Sequence, residues 1–181
     1  MPRVASNPQV VLRPQDLVVL LRLAIHDGPA PSYAALGGEL GLTASEAHAA
    51  VERAVRAQLA FKDADGKARV VRTAVREFVI HGARYVFPAT RGSMTRGIPT
   101  GYAAPPLADS IRPGTDPVPV WPYKNGEVRG ISLVPLYPSV PAAAARNRDL
   151  YEVLALFDAV RDGSSRERAA AIEFLTRRLD A

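Results

Sequence analysis

A mainly α fold with small β elements is the class this sequence predicts, and three observations predict it. Apolar residues recur at three- and four-residue spacing through most of residues 14–85 and again from 146 to 179. Strand-like runs are short and flank two turn signals, Asp65-Gly66 and Asn125-Gly126. Eleven of the sixteen prolines lie between Pro88 and Pro141, so helical pattern is interrupted by one extended block. The expected division is a first domain over 10–85, a Pro-rich extended arm with a β-hairpin over 86–145, and a C-terminal helical pair over 146–181.

The first helix is expected to start at Pro14, whose missing N–H costs nothing in a first turn. Leu17, Val18, Leu20, Leu21, Ala24 and Ile25 form its apolar face, and Asp27-Gly28-Pro29 stops it. Ser32 caps a second helix to about Leu40, with Gly41 as a left-handed end. Thr43 opens a third helix, and its spacing to Glu46 is that of a capping box. Ala47, Ala50, Val51, Ala54 and Val55 are its buried face. Phe61 to Val71 reads as a β-hairpin turning at Asp65-Gly66. Thr73 is expected to cap a helix to about Tyr85. In the middle block, Val118–Tyr123 and Glu127–Leu133 flank Asn125-Gly126, which predicts a type I′ hairpin with Pro119 and Pro122 confining the first strand to an edge. Two helices follow, about 146–160 and, from a second capping box at Ser164 and Glu167, to about Leu179. Leu150, Leu154, Phe157, Phe174 and Leu175 are expected to build an association interface or a local core.

Composition bounds the function more than it names it. The chain has 181 residues, 23 Lys and Arg against 18 Asp and Glu, and no Cys. Disulfides, thiol nucleophiles and thiolate metal sites are therefore excluded. The longest apolar run, Leu17 to Ile25, contains Arg22 and falls short of the about 20 residues that span a bilayer. Met1 to Gln9 lacks the apolar run of a signal peptide. A cytoplasmic protein without a membrane partner is expected. The net charge of +5 is spread over both halves and hints mildly at a polyanion.

Helix, short glycine-containing turn, helix, hairpin is the order of a winged helix-turn-helix. The residues that carry it run from Tyr33 through Leu36-Gly37-Gly38-Glu39-Leu40-Gly41-Leu42-Thr43 to Glu46, Ala47 and His48, then Val51, Arg53, Ala54 and Leu59. Residues 14–72 thereby resemble the DNA-binding domains of bacterial MarR-type regulators. The Pro-rich block departs from that family, in which a helix pair for dimerisation normally sits next to the wing. That block, with Arg91 to Thr100 and Pro135 to Pro141, is similar, more distantly, to bacterial winged-helix proteins encoded beside nucleotidyltransferase-like toxins.

The resemblance implies that the third helix enters the major groove of double-stranded DNA. Thr43, Ser45, His48, Arg53 and Arg56 are then candidates for base or phosphate contacts. Lys62, Lys67 and Arg69 on the hairpin, and Ser32 and Tyr33 at the second helix's start, are candidates for the backbone. Arg84, Arg91 and Arg96 are a possible second contact, to DNA or to a protein, and Arg91 to Gly97 is expected to be a glycine-rich basic loop able to cradle a phosphate in its backbone. Glu46 and Glu52 oppose phosphate. The expected function is a repressor that binds a pseudo-palindromic operator as a homodimer. Two alternatives stand beside it: an antitoxin that autoregulates its operon and neutralises a toxin, and a winged-helix module that binds protein alone. No cofactor, metal site or enzymatic motif is expected. His26, His48 and His81 fall on three different expected helices, as a helix-end, a surface and a half-buried residue. Tyr85, Phe87, Tyr102, Trp121, Tyr123 and Tyr137 are expected to staple the arm onto the domain or to line a pocket.

Overall fold

The computed structural model describes residue 9 and residues 11–111 and 114–180; the N-terminal stretch 1–8 and the expected domain start at residue 10 lie outside the described residues. The fold is mainly helical with small sheets. No helix among the described residues is long and apolar enough to cross a membrane.

Helix α1 (Pro14–Ala24) is central, with every residue from Asp16 to Ala24 buried. A helix apolar on nearly all sides is stable only when neighbours cover all of it. Helix α2 (Tyr33–Leu40) begins at Ser32, whose hydroxyl accepts the Ala35 N–H at 3.1 Å. It ends at Gly41, whose φ of +69° needs glycine. Helix α3 (Ala44–Arg56) has the expected capping box, with Thr43 Oγ1 accepting the Glu46 N–H and Glu46 accepting the Thr43 N–H. Ala47, Ala50, Val51 and Ala54 are buried, and three alanines in this face let α3 sit close to its neighbours. Strands β1 (Ala60–Lys62) and β2 (Ala68–Val70) pair antiparallel, with Phe61 opposite Arg69. Asp63 organises their loop by accepting the N–H groups of Asp65 and Lys67.

The next helix departs from expectation at its start and middle. Helix α4 (Arg72–Glu77) follows Val71, with no side-chain cap, so Thr73 lies inside the helix and does not cap it. A π-helical turn, Phe78–Gly82, then widens the helix before α5 (Ala83–Val86). His81 on this turn is exposed, not half-buried.

The middle block is where the structure overturns most. Arg91 to Gly97 is no loop: β3 (Arg91–Pro99) is an extended strand, so most of its backbone N–H groups do not form an anion cradle. Strands β4 (Pro119–Pro122) and β5 (Val128–Leu133) are not a hairpin. Each pairs antiparallel with β3, and they pair parallel with one another, closing a three-stranded barrel. Neither Asn125 nor Gly126 has positive φ, so the type I′ turn is absent. Pro119 and Pro122 stand at the two ends of β4, which is paired on both sides and is no edge strand.

Glycine permits this closure by size, not by φ. A Cβ on Gly97 would lie 1.9 Å from the Trp121 carbonyl oxygen, and one on Gly130 would lie 2.1 Å from that of Val118. Gly126 is pressed on Gly97 in the same way, at 2.3 Å. Three strands curl this tightly only where backbone can touch backbone.

A short helix α6 (Val140–Ala144), unforeseen in the sequence, precedes α7 (Arg148–Asp162), which Asn147 caps through the Leu150 N–H. Helix α8 (Ser165–Asp180) starts at the Ser164–Glu167 capping box. Helix α7 is buried continuously from Val153 to Val160 and packs on α1, α8 and the 3-10 turn Gly101–Ala103. Leu150, Leu154, Phe157 and Leu175 are buried in this same core, and Phe174 is half-buried against it.

One polar hub fastens the barrel to α7. Asp158, fully buried, accepts from Thr100 Oγ1 at 2.7 Å, Trp121 Nε1 at 2.6 Å and Arg161 Nε at 2.7 Å. Burial pushes its carboxyl up, while Arg161 and the two other donors pull it down. Arg161 also donates to the Val134 carbonyl, and Trp121 stands edge-on to Tyr151 with centroids 5.8 Å apart. Trp121 thus staples the middle block onto the helices. Of the six aromatics around the prolines, Trp121 and Phe87 are buried, whereas Tyr85 is exposed.

Candidate nucleic-acid interface

Helices α2 and α3 meet across the turn Gly41-Leu42-Thr43, which is short because α2 presents Gly37 to it. A Cβ on Gly37 would lie 2.7 Å from the Leu42 carbonyl oxygen. Behind the turn, the Ser139 hydroxyl donates to the Leu40 carbonyl and Arg146 donates to that of Glu39. The end of α2 is therefore held from the C-terminal side of the chain, leaving the first turns of α3 in solvent.

On that exposed face lie Thr43, Ser45, Glu46 and His48. Ser32 is exposed nearby, and Tyr33 is half-buried with its ring edge-on to His48, centroids 4.9 Å apart. The Thr43 hydroxyl is spent on the cap, donating to Glu46 at 2.8 Å. Those bonds from the Thr43 backbone and hydroxyl hold the Glu46 carboxyl below its ordinary range. Among the described residues, the Ser45 hydroxyl has no hydrogen-bond partner.

The cations of α3 and the hairpin are less available than their number implies. Arg53 does not face solvent as expected. Its guanidinium makes a two-bond fork with Asp16 of α1, Nε to Oδ2 at 2.8 Å and Nη2 to Oδ1 at 2.6 Å. Asp16 is completely buried and also accepts the Arg13 N–H, so Arg53 is a clamp between helices. Lys62 lies 2.5 Å from Glu52, and this contact lowers the Glu52 carboxyl and raises the Lys62 ammonium. His48 Nε2 is 3.4 Å from the same Glu52 oxygen. Arg69 is bonded to Asp63 at 3.0 Å. Among the described residues, the side chains of Arg56 and Lys67 have no ion-pair partner. The face thus balances Arg56, Lys62, Lys67 and Arg69 against Glu46, Glu52, Asp63 and Asp65.

The second candidate group is dispersed. Arg84, on α5, stacks over the ring of its neighbour Tyr85 at 4.9 Å. Arg91 is paired with Asp162 of α7 at 2.9 Å. Arg96 is exposed on β3, directly opposite Arg129 of β5. Sequence reasoning missed Asp16, Arg129 and the Asp158 hub. Only the hub left a trace, a carboxylate and an arginine at i and i+3 inside an otherwise apolar helix face. A shallow cavity of about 410 Å³ lies between the end of α1 and the hairpin, lined by Leu23, His26, Phe61, Arg69 and Arg72 among others.

No protein-family model, curated protein or solved structure matches the chain.

Proposed function

We propose that the chain is a DNA-binding transcriptional regulator of the winged helix-turn-helix type, acting as a repressor. One observation carries the reading. The tight α2–Gly41–α3 turn leaves the N-terminal turns of α3 in solvent, and a two-stranded hairpin follows directly. In this reading α3 lies in the major groove, with Ser45 and His48 at base edges and Arg56 at phosphate. The hairpin tip offers Lys67 to the flanking backbone. Binding a pseudo-palindromic operator as a homodimer is the simplest form of repressor action.

The experiment is selection of duplex sites from a random pool by the purified full chain. Enrichment of a defined sequence, lost in Ser45→Ala/His48→Ala, is the expected result. Binding without any sequence preference would remove the operator-binding role. A second reading, a winged-helix module that binds protein alone, is favoured by the internal charge balance of the α3–hairpin face, since phosphate affinity needs uncompensated cations. Co-purification of a stoichiometric partner whose contact is broken by changes on α3 would support it instead.

A further inference from the structure

The barrel carries an arrangement that a fold does not gain by for itself. Arg96 of β3 and Arg129 of β5 are register partners in an antiparallel pair. Residues so placed have Cα atoms about 4.5–5.5 Å apart and side chains on one face. Both arginines are exposed, and among the described residues neither side chain has an ion-pair or hydrogen-bond partner. Like charges directly opposite one another destabilise a sheet. A third cation stands beside them. The turn Tyr123–Gly126 is closed by the Gly126 N–H to the Tyr123 carbonyl, and the Tyr123 N–H donates to the Arg96 carbonyl. The exposed Lys124 follows Tyr123 directly in this turn, one residue from the bond to the Arg96 backbone. One exposed carboxylate, Glu127, lies in the same connection.

We propose that the Arg96–Arg129 pair, with Lys124, is a docking site for the phosphate backbone of double-stranded DNA. This rests on the DNA-binding reading and says where its phosphate contacts lie. The α3–hairpin face pairs two of its four cations, Lys62 and Arg69, with its own carboxylates and leaves Arg56 and Lys67, so further counterion release has to come from unpaired charges elsewhere. Two adjacent guanidinium forks suit one phosphate, because each is planar, always charged and weakly hydrated. An acidic protein would share the charge complementarity. It would also need a desolvated apolar anchor, and the only large exposed apolar side chain on these strands is Met94.

The test is fluorescence anisotropy of a labelled mixed-sequence duplex titrated with the full chain over a range of salt. Removing that phosphate contact in Arg96→Ala/Arg129→Ala should reduce the slope of log K against log salt by about 0.9. Its melting temperature should not fall, because the like-charge pair is relieved. Arg129→Glu places an acid opposite Arg96, and should raise the melting temperature while losing the same share of the slope. An unchanged slope in both variants, with salt-dependent binding by the wild type, overturns the site and leaves the DNA-binding reading standing. A wild type that binds polyglutamate but no duplex overturns both and assigns the patch to an acidic protein. A wild type that binds neither also overturns both.

Discussion

Arg53 and Arg56 are three residues apart on one helix, and both belong to the basic end of α3. Periodicity places them near the solvent side and cannot tell them apart. The difference is a buried carboxylate 37 residues earlier: Asp16 holds Arg53 by two hydrogen bonds, and nothing among the described residues holds Arg56. Such long-range pairs have no local signature, whereas the Thr43–Glu46 and Ser164–Glu167 caps are legible because their partners are three residues apart. The two arginines should therefore fail in different ways. Arg53→Ala strands a fully buried Asp16, and breaking a buried pair from one side costs about 3–5 kcal/mol. Urea titration should show that loss for Arg53→Ala. It should show a change within about 0.5 kcal/mol for Arg56→Ala, as at an ordinary surface site. If DNA lies on the α3 face, Arg56→Ala should weaken its binding in anisotropy with the fold intact. Equal stability of the two variants would mean that Asp16 finds another partner.

At the level of elements, what was legible follows one rule. Helices α1, α2, α3, α7 and α8 and the β1–β2 hairpin are set by neighbours close in sequence, and their apolar spacing and caps announce them. The π turn at Phe78–Gly82 and the barrel are not. Asn125-Gly126 looks like a hairpin turn, but glycine serves here as an absence of volume, and sequence alone does not distinguish that use from positive φ. The strands then pair through β3, which ends at Pro99 while β4 starts only at Pro119, with 3-10 turns at Gly101–Ala103 and Leu107–Asp109 between them. The distinction is testable with two alanines. Gly97→Ala forces a methyl against the Trp121 carbonyl at 1.9 Å, while Gly114→Ala meets nothing within 4 Å. Overpacking costs about 1–3 kcal/mol, and more where backbone has to move. Thermal melting and Trp121 fluorescence should show a destabilised, loosened barrel in Gly97→Ala and no change in Gly114→Ala. A neutral Gly97→Ala would argue against a closed barrel.

Across the whole molecule, the net charge of +5 is a poor guide to where a polyanion would sit. Pairing decides it, and pairing is a property of the fold: Glu52 faces Lys62 because α3 packs beside β1, and Asp63 faces Arg69 because the hairpin closes. The same contact that lowers the Glu52 carboxyl keeps Lys62 from offering its charge outward at neutral pH. In the proposed DNA-binding role, Glu52 is then a brake on phosphate affinity at the α3–hairpin face. Glu52→Gln removes the brake while keeping the shape. If DNA lies on this face, the variant should bind a mixed-sequence duplex more tightly. Its salt slope should steepen by about 0.9, the contribution of one more phosphate contact. Stability should change little, since an exposed ion pair is largely screened by solvent. Selection from a random pool should then show weaker discrimination, because the added affinity is blind to sequence. Unaltered affinity and slope in Glu52→Gln would place the bound duplex away from α3 and Lys62, on the barrel arginines alone.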